Sequence, residues 1–502
     1  MRQLPPLRLL LVCLMALVYS PADGVAKDAG GRNTLSQVAA SLAQADRYVG
    51  SRDPALVQAR YEIARSVEGS LTGRVPSSRC KRAFLALARL AHRHVLATEA
   101  YDRQLPELQQ RLDQQLPTAR QTLTRALPAC TGLSWSRPLI RRPGLLEPLD
   151  GEAFFGTIRS RVPAGTDRLE AHWNGRLILQ RSHDAAAGAI AQIVLSQVRP
   201  GPGVVELRFF SGERLLSAQE VRQLWLLPAS AARAPAAERS DRVLAGRLAA
   251  IAAGFNGFSG VWTYDFRSGR TAGWNDRARF PAASTVKLGV LAAALNLAGA
   301  RPERSRLTHD LRTMSTWSSN LAANRLLRLL GGGSTERGQA RVEATLRQMG
   351  ATRSTYTGEY RVGTSANSAG APVDTEPPLV SSRTTTAEDL GLVFSTLHSA
   401  ATGERAALAR ARLSRHQARV GLAFLLKSLA SGDNRGPLRP SIPPGLPVAS
   451  KQGWISTARH SATIIYTRKG PLVLVLLTYR EALPLVDAEK LGRRVFLAVM
   501  QG

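Results

Sequence analysis

The stretch Phe280-Pro281-Ala282-Ala283-Ser284-Thr285-Val286-Lys287-Leu288-Gly289-Val290-Leu291 decides how this chain is read. A Ser and a Lys stand three apart where an apolar run, Leu288 to Ala298, begins. Positions i and i+3 share one face of a helix, so the Lys287 amine is expected beside the Ser284 hydroxyl. A serine hydroxyl is a weak nucleophile at neutral pH and needs an adjacent base. A lysine serves only when burial or nearby positive charge lowers its pKa. The apolar flanks Val286 and Leu288 to Leu291 predict that partial burial. Taken alone, S-x-x-K also begins many ordinary helices. Two further elements in order shift the weight toward chemistry: Ser318-Ser319-Asn320, followed by Leu321-Ala322-Ala323-Asn324, and Lys451-Gln452-Gly453, followed by Trp454-Ile455.

The ordered set S-x-x-K, S-x-N and K-x-G resembles that of serine penicillin-binding proteins and class A β-lactamases. Local context extends the resemblance. Phe280 to Ala283 leads into the Ser as in those enzymes. Ser318 to Leu327 is similar to their S-D-N-x-A-A-N-x-L-L stretch, and Arg383-Thr384-Thr385-Thr386-Ala387-Glu388-Asp389-Leu390 to the threonine-rich helix start after their Ω loop. Pro444 to Ser450 runs into Lys451 much as their last core strand does. The resemblance covers residues 240–502. It implies an α/β sandwich of the β-lactamase/transpeptidase type with a helical subdomain, and acyl transfer through Ser284. It implies Lys287 as base or base partner and Ser318 as proton relay to the leaving group. Lys451 then holds the Ser318 oxygen and the negative charge of the substrate. Asn320 binds an amide carbonyl of the substrate and contacts Lys287. Gln452, Gly453 and Trp454 line the edge strand, and the backbone N–H groups of Ser284 and Trp454 form the oxyanion hole. Arg459, on the next hairpin, is a candidate to hold a substrate carboxylate bidentately, or is a structural arginine. No metal or organic cofactor is implied.

Three departures bear on function. Gln452 replaces the Thr or Ser of the family triplet, so a hydroxyl expected on the substrate carboxylate is missing. Ser319 replaces the Asp of S-D-N, a buried structural position in the family. Class A enzymes also carry an Ω-loop Glu-x-x-x-Asn that activates the deacylating water. Residues 353–382 have no such pattern. Glu359 is the nearest candidate by position, or else a solvated loop carboxylate or a salt-bridge partner of Arg361; Asp374 and Glu376 are weaker candidates. Without a positioned base the acyl-enzyme is expected to hydrolyse slowly.

A chain of 502 residues exceeds one ordinary domain. Arg2 and Arg8 precede the apolar run Leu9 to Val18, with small residues following, which reads as an export signal over residues 1–26. The run is short for a membrane span. Val12 is not the small residue that a lipidated Cys13 requires. Cys80 and Cys130 then remain, and in an oxidising compartment a pair is expected to form a disulfide. Residues 33–130 carry apolar residues at helical spacing and predict a small bundle, in which His92 and His94 are expected on a solvated face. Residues 149–227 hold short apolar runs separated by Gly and Pro, with Asn174-Gly175 as a hairpin signal. They predict a small β-sandwich resembling bacterial immunoglobulin-like modules. Residues 228–239 read as a linker.

The net charge is +30, carried almost wholly by arginine. Composition bias explains it, or attraction to anionic envelope polymers; export and the lack of a recognition motif argue against nucleic acid. The expected protein is an exported serine hydrolase cleaving a β-lactam or a related amide or ester. A D-Ala-D-Ala peptidase acting on peptidoglycan-derived peptides is the alternative, and a catalytically silent cell-wall-binding module a third. Retention of Ser284, Lys287, Ser318 and Lys451 together argues against silence.

Overall fold

The computed structural model describes residues 35–71, 76, 78–130, 154–182, 189–195, 198, 200–232, 236–362, 383–426 and 436–501, with residues 221–223 in backbone only. The proposed export signal and the carboxylates Asp374 and Glu376 lie outside the described residues. The chain divides into two compact units, Met1–Leu139 with Leu327–Gly338, and Ile140–Leu326 with Gln339–Gly502.

The first unit contains helices α1 (Leu35–Asp46), α2 (Pro54–Leu71), α3 (Lys81–Asp102), α4 (Pro106–Gln114) and α5 (Leu116–Ala126). Its core follows the helical period: Leu42 and Ala45 from α1, Val57, Tyr61 and Ala64 from α2, and Leu87, Leu90 and Val95 from α3 are all buried. The sequence suggests one helix from Leu108 to Leu127, but two form. Pro117 sits in the first turn of α5, where a proline is tolerated because that N–H has no intrahelical partner. Cys80 and Cys130 are joined as a disulfide, which ties the start of α3 to the end of the bundle. The solvated face expected for His94 is not observed. His94 is fully buried; its Nδ1 accepts from Arg60 Nε at 3.0 Å, and its Nε2 meets Asp46 Oδ1 at 3.1 Å. Arg60, itself buried, also pairs with Asp113 at 2.6 Å. Only His92 stays on the surface, paired with Glu68.

The second unit begins with six strands. One sheet runs β3 (Arg176–Ser182), β2 (Arg168–Trp173), β5 (Gly201–Ser211), β6 (Arg214–Leu226); the other pairs β1 (Thr157–Arg161) with β4 (Ile190–Val194). Both give inward residues, among them Ile158, Ile193, Leu169, Val205 and Phe209, to one core. The apolar residues Phe154 and Phe155 precede the first strand, which starts at Thr157. The expected linker is not a free tether. Ala236 N donates to Phe266 O, Tyr264 Oη donates to Ala236 O at 2.7 Å, and Arg239–Ser240 joins a sheet as strand β7.

That sheet is six-stranded, ordered β12 (Val448–Ile455), β13 (Ala458–Tyr466), β14 (Pro471–Tyr479), β8 (Phe258–Asp265), β9 (Arg270–Trp274), β7. Every residue of β14 is buried, as suits a central strand covered on both faces. One face packs on α6 (Arg242–Ala253) and the C-terminal helix α14 (Leu485–Met500), through Leu248, Leu474, Leu476, Leu491 and Val495. Burying each such side chain contributes about 1.5–3 kcal/mol. Asp241 caps α6 by accepting from Leu244 N at 2.9 Å. The other face carries α11 (Ala387–Thr402) and α13 (Arg415–Leu426), and α12 (Arg405–Ala411) joins them. Between the sheet halves run β10 (Phe280–Pro281), α7 (Lys287–Leu297), α8 (Thr308–Thr316), α9 (Asn320–Leu330), α10 (Thr335–Gln348) and β11 (Thr384–Thr385). Helix α7 is buried continuously from Lys287 to Leu295.

Candidate active site

Ser284 lies in the turn that enters α7, one residue after Ala283, whose backbone is left-handed at φ +48°. A non-glycine residue there stores strain, and such residues cluster where geometry serves chemistry. The turn is wound at three residues per turn: Thr285 N donates to Ala282 O at 3.0 Å, Lys287 N to Ser284 O at 3.3 Å, and Leu288 N to Thr285 O at 3.1 Å. This winding aligns residues i and i+3, so Ser284 and Lys287 sit one above the other although Ser284 precedes the helix proper. The Thr285 hydroxyl locks the turn from inside by donating to Ala282 O at 2.6 Å. Ser284 is half-buried while its neighbours Thr285 to Val290 are buried.

Ser318 is the meeting point of both motif lysines. Lys451 Nζ lies 2.9 Å from Ser318 Oγ, and Lys287 Nζ lies 3.3 Å from it. A hydroxyl has two lone pairs and one proton. With both lone pairs facing amines, its own O–H is aimed away from them. Ser318 is held at φ +68°, a second left-handed non-glycine backbone. Lys287 Nζ also donates to Ser318 O and to Asn320 Oδ1, each at 2.6 Å. The Asn320 amide in turn donates to Arg361 O at 2.7 Å. Ser319 is buried, and its Oγ accepts from Ala322 N at the start of α9, a structural role. Burial alone pulls the Lys451 amine from its ordinary range down to about 7, because no carboxylate is among its hydrogen-bond partners, Ser318 Oγ and Gln452 O.

Strand β12 is the edge of the sheet, and it lies against the Ser284 turn. A Cβ on Gly453 would fall 2.9 Å from Thr285 Cγ2 and 3.1 Å from both Ala282 O and Thr285 N, so this approach needs a glycine. Gln452 O points outward to Lys451 Nζ at 2.7 Å. A strand repeats every two residues, so the N–H of Trp454 faces the same open edge. The Gln452 side chain is a correction to the sequence reading. It does not line the edge beside Lys451 but turns to the α14 face of the sheet. There it is buried, accepts from Ser461 Oγ at 2.7 Å, and has its Oε1 where a Cβ on Gly436 would stand. Alternation along β12 sends Lys451 and Gly453 to one face and Gln452 to the other. Trp454 is exposed, and the Arg459 guanidinium lies over its ring at 5.4 Å. Arg459 Nη1 donates to the carbonyls of Ile455 and Ala458, so it braces the hairpin between β12 and β13.

Four residues outside the three short motifs complete the site. Tyr360 lays its ring over Lys287, Nζ being 4.2 Å from the centroid, and donates its hydroxyl to Ala283 O at 3.1 Å. Burial pushes the Tyr360 phenol up to about 12, so it stays protonated. Asn324 holds Tyr360 by its backbone: Oδ1 accepts from Tyr360 N at 2.7 Å and Nδ2 donates to Tyr360 O at 2.8 Å. Arg383 stacks on the same ring at 4.1 Å, donates to Glu359 O, and accepts at its own carbonyl from Ala282 N. His460, opposite Gly453 on β13, is buried between Thr478 N and Pro281 O. Its Nδ1 accepts from Thr478 N, which assigns the proton to Nε2 and the donated bond to Pro281 O, 2.7 Å away. The signal that could have found Asn324 is its place in the S-x-N stretch; Tyr360 and His460 have none.

The model of the beta-lactamase enzyme family matches residues 243–304 and 300–501. No curated protein matches the chain. Similar solved structures include a beta lactamase from Xanthomonas campestris pv. campestris, 22% identical, covering 52% of this chain and 97% of that one, with TM-score 0.40. A beta-lactamase from Desulfarculus baarsii gives the same four figures. The structure of PBP-A is 16% identical, with 53% and 100% coverage and TM-score 0.40.

Proposed function

Since the chain belongs to the beta-lactamase enzyme family, we propose that it is an exported serine hydrolase that opens a β-lactam or a related amide or ester through an acyl-enzyme on Ser284. The observation that carries this reading is the convergence of Lys287 and Lys451 on the one hydroxyl of Ser318, beside the turn that presents Ser284. In this reading Ser284 Oγ attacks the acyl carbonyl as its proton passes to the Lys287 amine in its neutral form. The carbonyl oxygen gathers negative charge between the N–H groups of Ser284 and Trp454, each donor being worth on the order of 3 kcal/mol. Ser318, with its lone pairs facing the two amines, passes its proton to the departing nitrogen and regains one from the protonated Lys287. Lys451 supplies positive charge for an anionic substrate. The Cys80–Cys130 disulfide and the basic, apolar N-terminus support export to an oxidising compartment.

A slow-deacylating penicillin-binding enzyme or D-Ala-D-Ala peptidase, acting on peptidoglycan-derived peptides, is the second reading. The missing Glu-x-x-x-Asn pattern in residues 353–382 favours it. Arg383 anchors the main chain of Glu359, the remaining candidate base among the described residues. Intact mass recorded over time, with the mature protein and a penicillin, tests both. A lasting adduct that is absent from Ser284→Ala selects the slow-deacylating enzyme. Rapid loss of penicillin without a lasting adduct, again abolished by Ser284→Ala, selects the β-lactamase. Neither adduct nor turnover overturns β-lactam acylation.

A further inference from the structure

We propose that Tyr360 is a positioning residue that holds Lys287 as an ammonium ion in the resting site and couples its position to the strained residue before the nucleophile. An ammonium has three donors and no acceptor. Lys287 Nζ faces three oxygens, Ser318 O and Asn320 Oδ1 at 2.6 Å and Ser318 Oγ at 3.3 Å. The Tyr360 ring, 4.2 Å from Nζ to centroid, adds the negative face of an aromatic quadrupole. Carbonyl oxygens and a π face all favour the charged amine over the neutral one. The ring is fixed from both ends. Asn324 grips its backbone N and O, and its hydroxyl donates to Ala283 O, the carbonyl adjoining Ser284. A displacement of Tyr360 is therefore felt at once by Lys287 and by the nucleophile turn.

The charged and titratable groups around Lys287 come from every neighbouring element. Lys451 on β12 shares Ser318. Arg383, before β11, stacks on the Tyr360 ring. Glu359 and Arg361 flank Tyr360 in the chain. Arg383, and Lys451 when it is protonated, oppose a second positive charge, which is why a face that stabilises one is needed here.

The catalytic consequence rests on the acyl-enzyme reading; the state of Lys287 does not. The chain has seven lysines, so biosynthetic labelling with carbon-13 at lysine Cε gives a resolvable spectrum in which Lys287→Met identifies the Lys287 signal. The expected result is a Lys287 midpoint lower by about one pH unit in Tyr360→Leu. A ring-fluorinated phenylalanine at 360, of like shape but with a depleted π face, moves it the same way. Tyr360→Phe keeps it near the wild-type value. Acylation needs the neutral amine, so the resting ammonium must first lose its proton and the acid limb of penicillin acylation follows the same order. A midpoint equal in wild type and in the fluorinated variant overturns the proposal, as does a shift in Tyr360→Phe as large as in Tyr360→Leu. Should Tyr360→Leu not fold, the fluorinated ring decides alone. If the midpoint moves as expected but wild type takes up no penicillin, the role of Tyr360 stands and the acyl-enzyme reading fails.

Discussion

Gln452 shows how a motif residue can serve the fold instead of the substrate. Its side chain is buried on the α14 face and accepts from Ser461 Oγ. Gln452→Ala leaves the Ser461 hydroxyl with a lost acceptor in a buried setting, which costs about 1–3 kcal/mol. The expected outcome is a lower denaturant midpoint with the acylation rate changed less than threefold. A large loss of acylation at unchanged stability would return Gln452 to the substrate side. At this scale, the grouping of Lys287, Ser318, Asn320 and Lys451 was legible because their chemistry restricts residue type and order. Tyr360 and His460 were not, because each acts on partners 73 and 179 positions away, Tyr360 on Lys287 and His460 on Pro281, and no local pattern records that. The orientation of Gln452 followed from strand alternation around Lys451, but only once the strand and its covered faces were known.

Elements were read best where hydrophobic period and length agreed. Helix α6 and strand β14 carry nearly uninterrupted apolar runs, Leu248 to Ala253 and Leu472 to Leu477, which mark both in the sequence. Strand β6 leaves no such mark. It mixes Arg, Ser, Gln and Glu with exposed Leu215, so its pairing with β5 leaves a weak apolar signal. In the bundle, α1, α4 and α5 are short, with 12, 9 and 11 residues. Helices of that length are marginal alone and depend on packing. The Cys80–Cys130 bridge closes a segment with a sequence separation of 50, which in the chain-entropy model stabilises the folded bundle by about 4 kcal/mol. Cys130→Ser is expected to lower the thermal midpoint of this unit by a comparable free energy. A calorimetric transition unmoved by the substitution, with the bridge verified in the parent, would remove the staple from the account.

Over the whole molecule, acid is the condition to which the structure is most exposed. Burial holds His398 down to about 3 and His460 down to about 4. His398 packs edge-on against Phe266 at 4.7 Å and beside Tyr466, with no carboxylate among these neighbours to welcome a proton. Unfolded, both imidazoles titrate near 6.5. Between that value and their folded values the unfolded chain binds more protons than the native one, so stability rises with pH there. The contribution is complete above about 6.5 and is lost as pH falls toward 4, on the order of a few kcal/mol for each buried ring. In the bundle, burial likewise lowers His94, which adds loss of the same sign in that unit. His398→Phe keeps an aromatic ring in the Phe266–Tyr466 nest and removes one titrating group. It leaves only the Tyr466 hydroxyl, 3.3 Å from His398 Nδ1, without that partner. Urea unfolding at pH 7 and pH 5 is the measurement. The variant is expected to be close to wild type at pH 7 and more stable than wild type at pH 5. An equal fall in both proteins between the two pH values would place the acid sensitivity elsewhere, with His460, bonded to Pro281 O ahead of the Ser284 turn, the next group to replace.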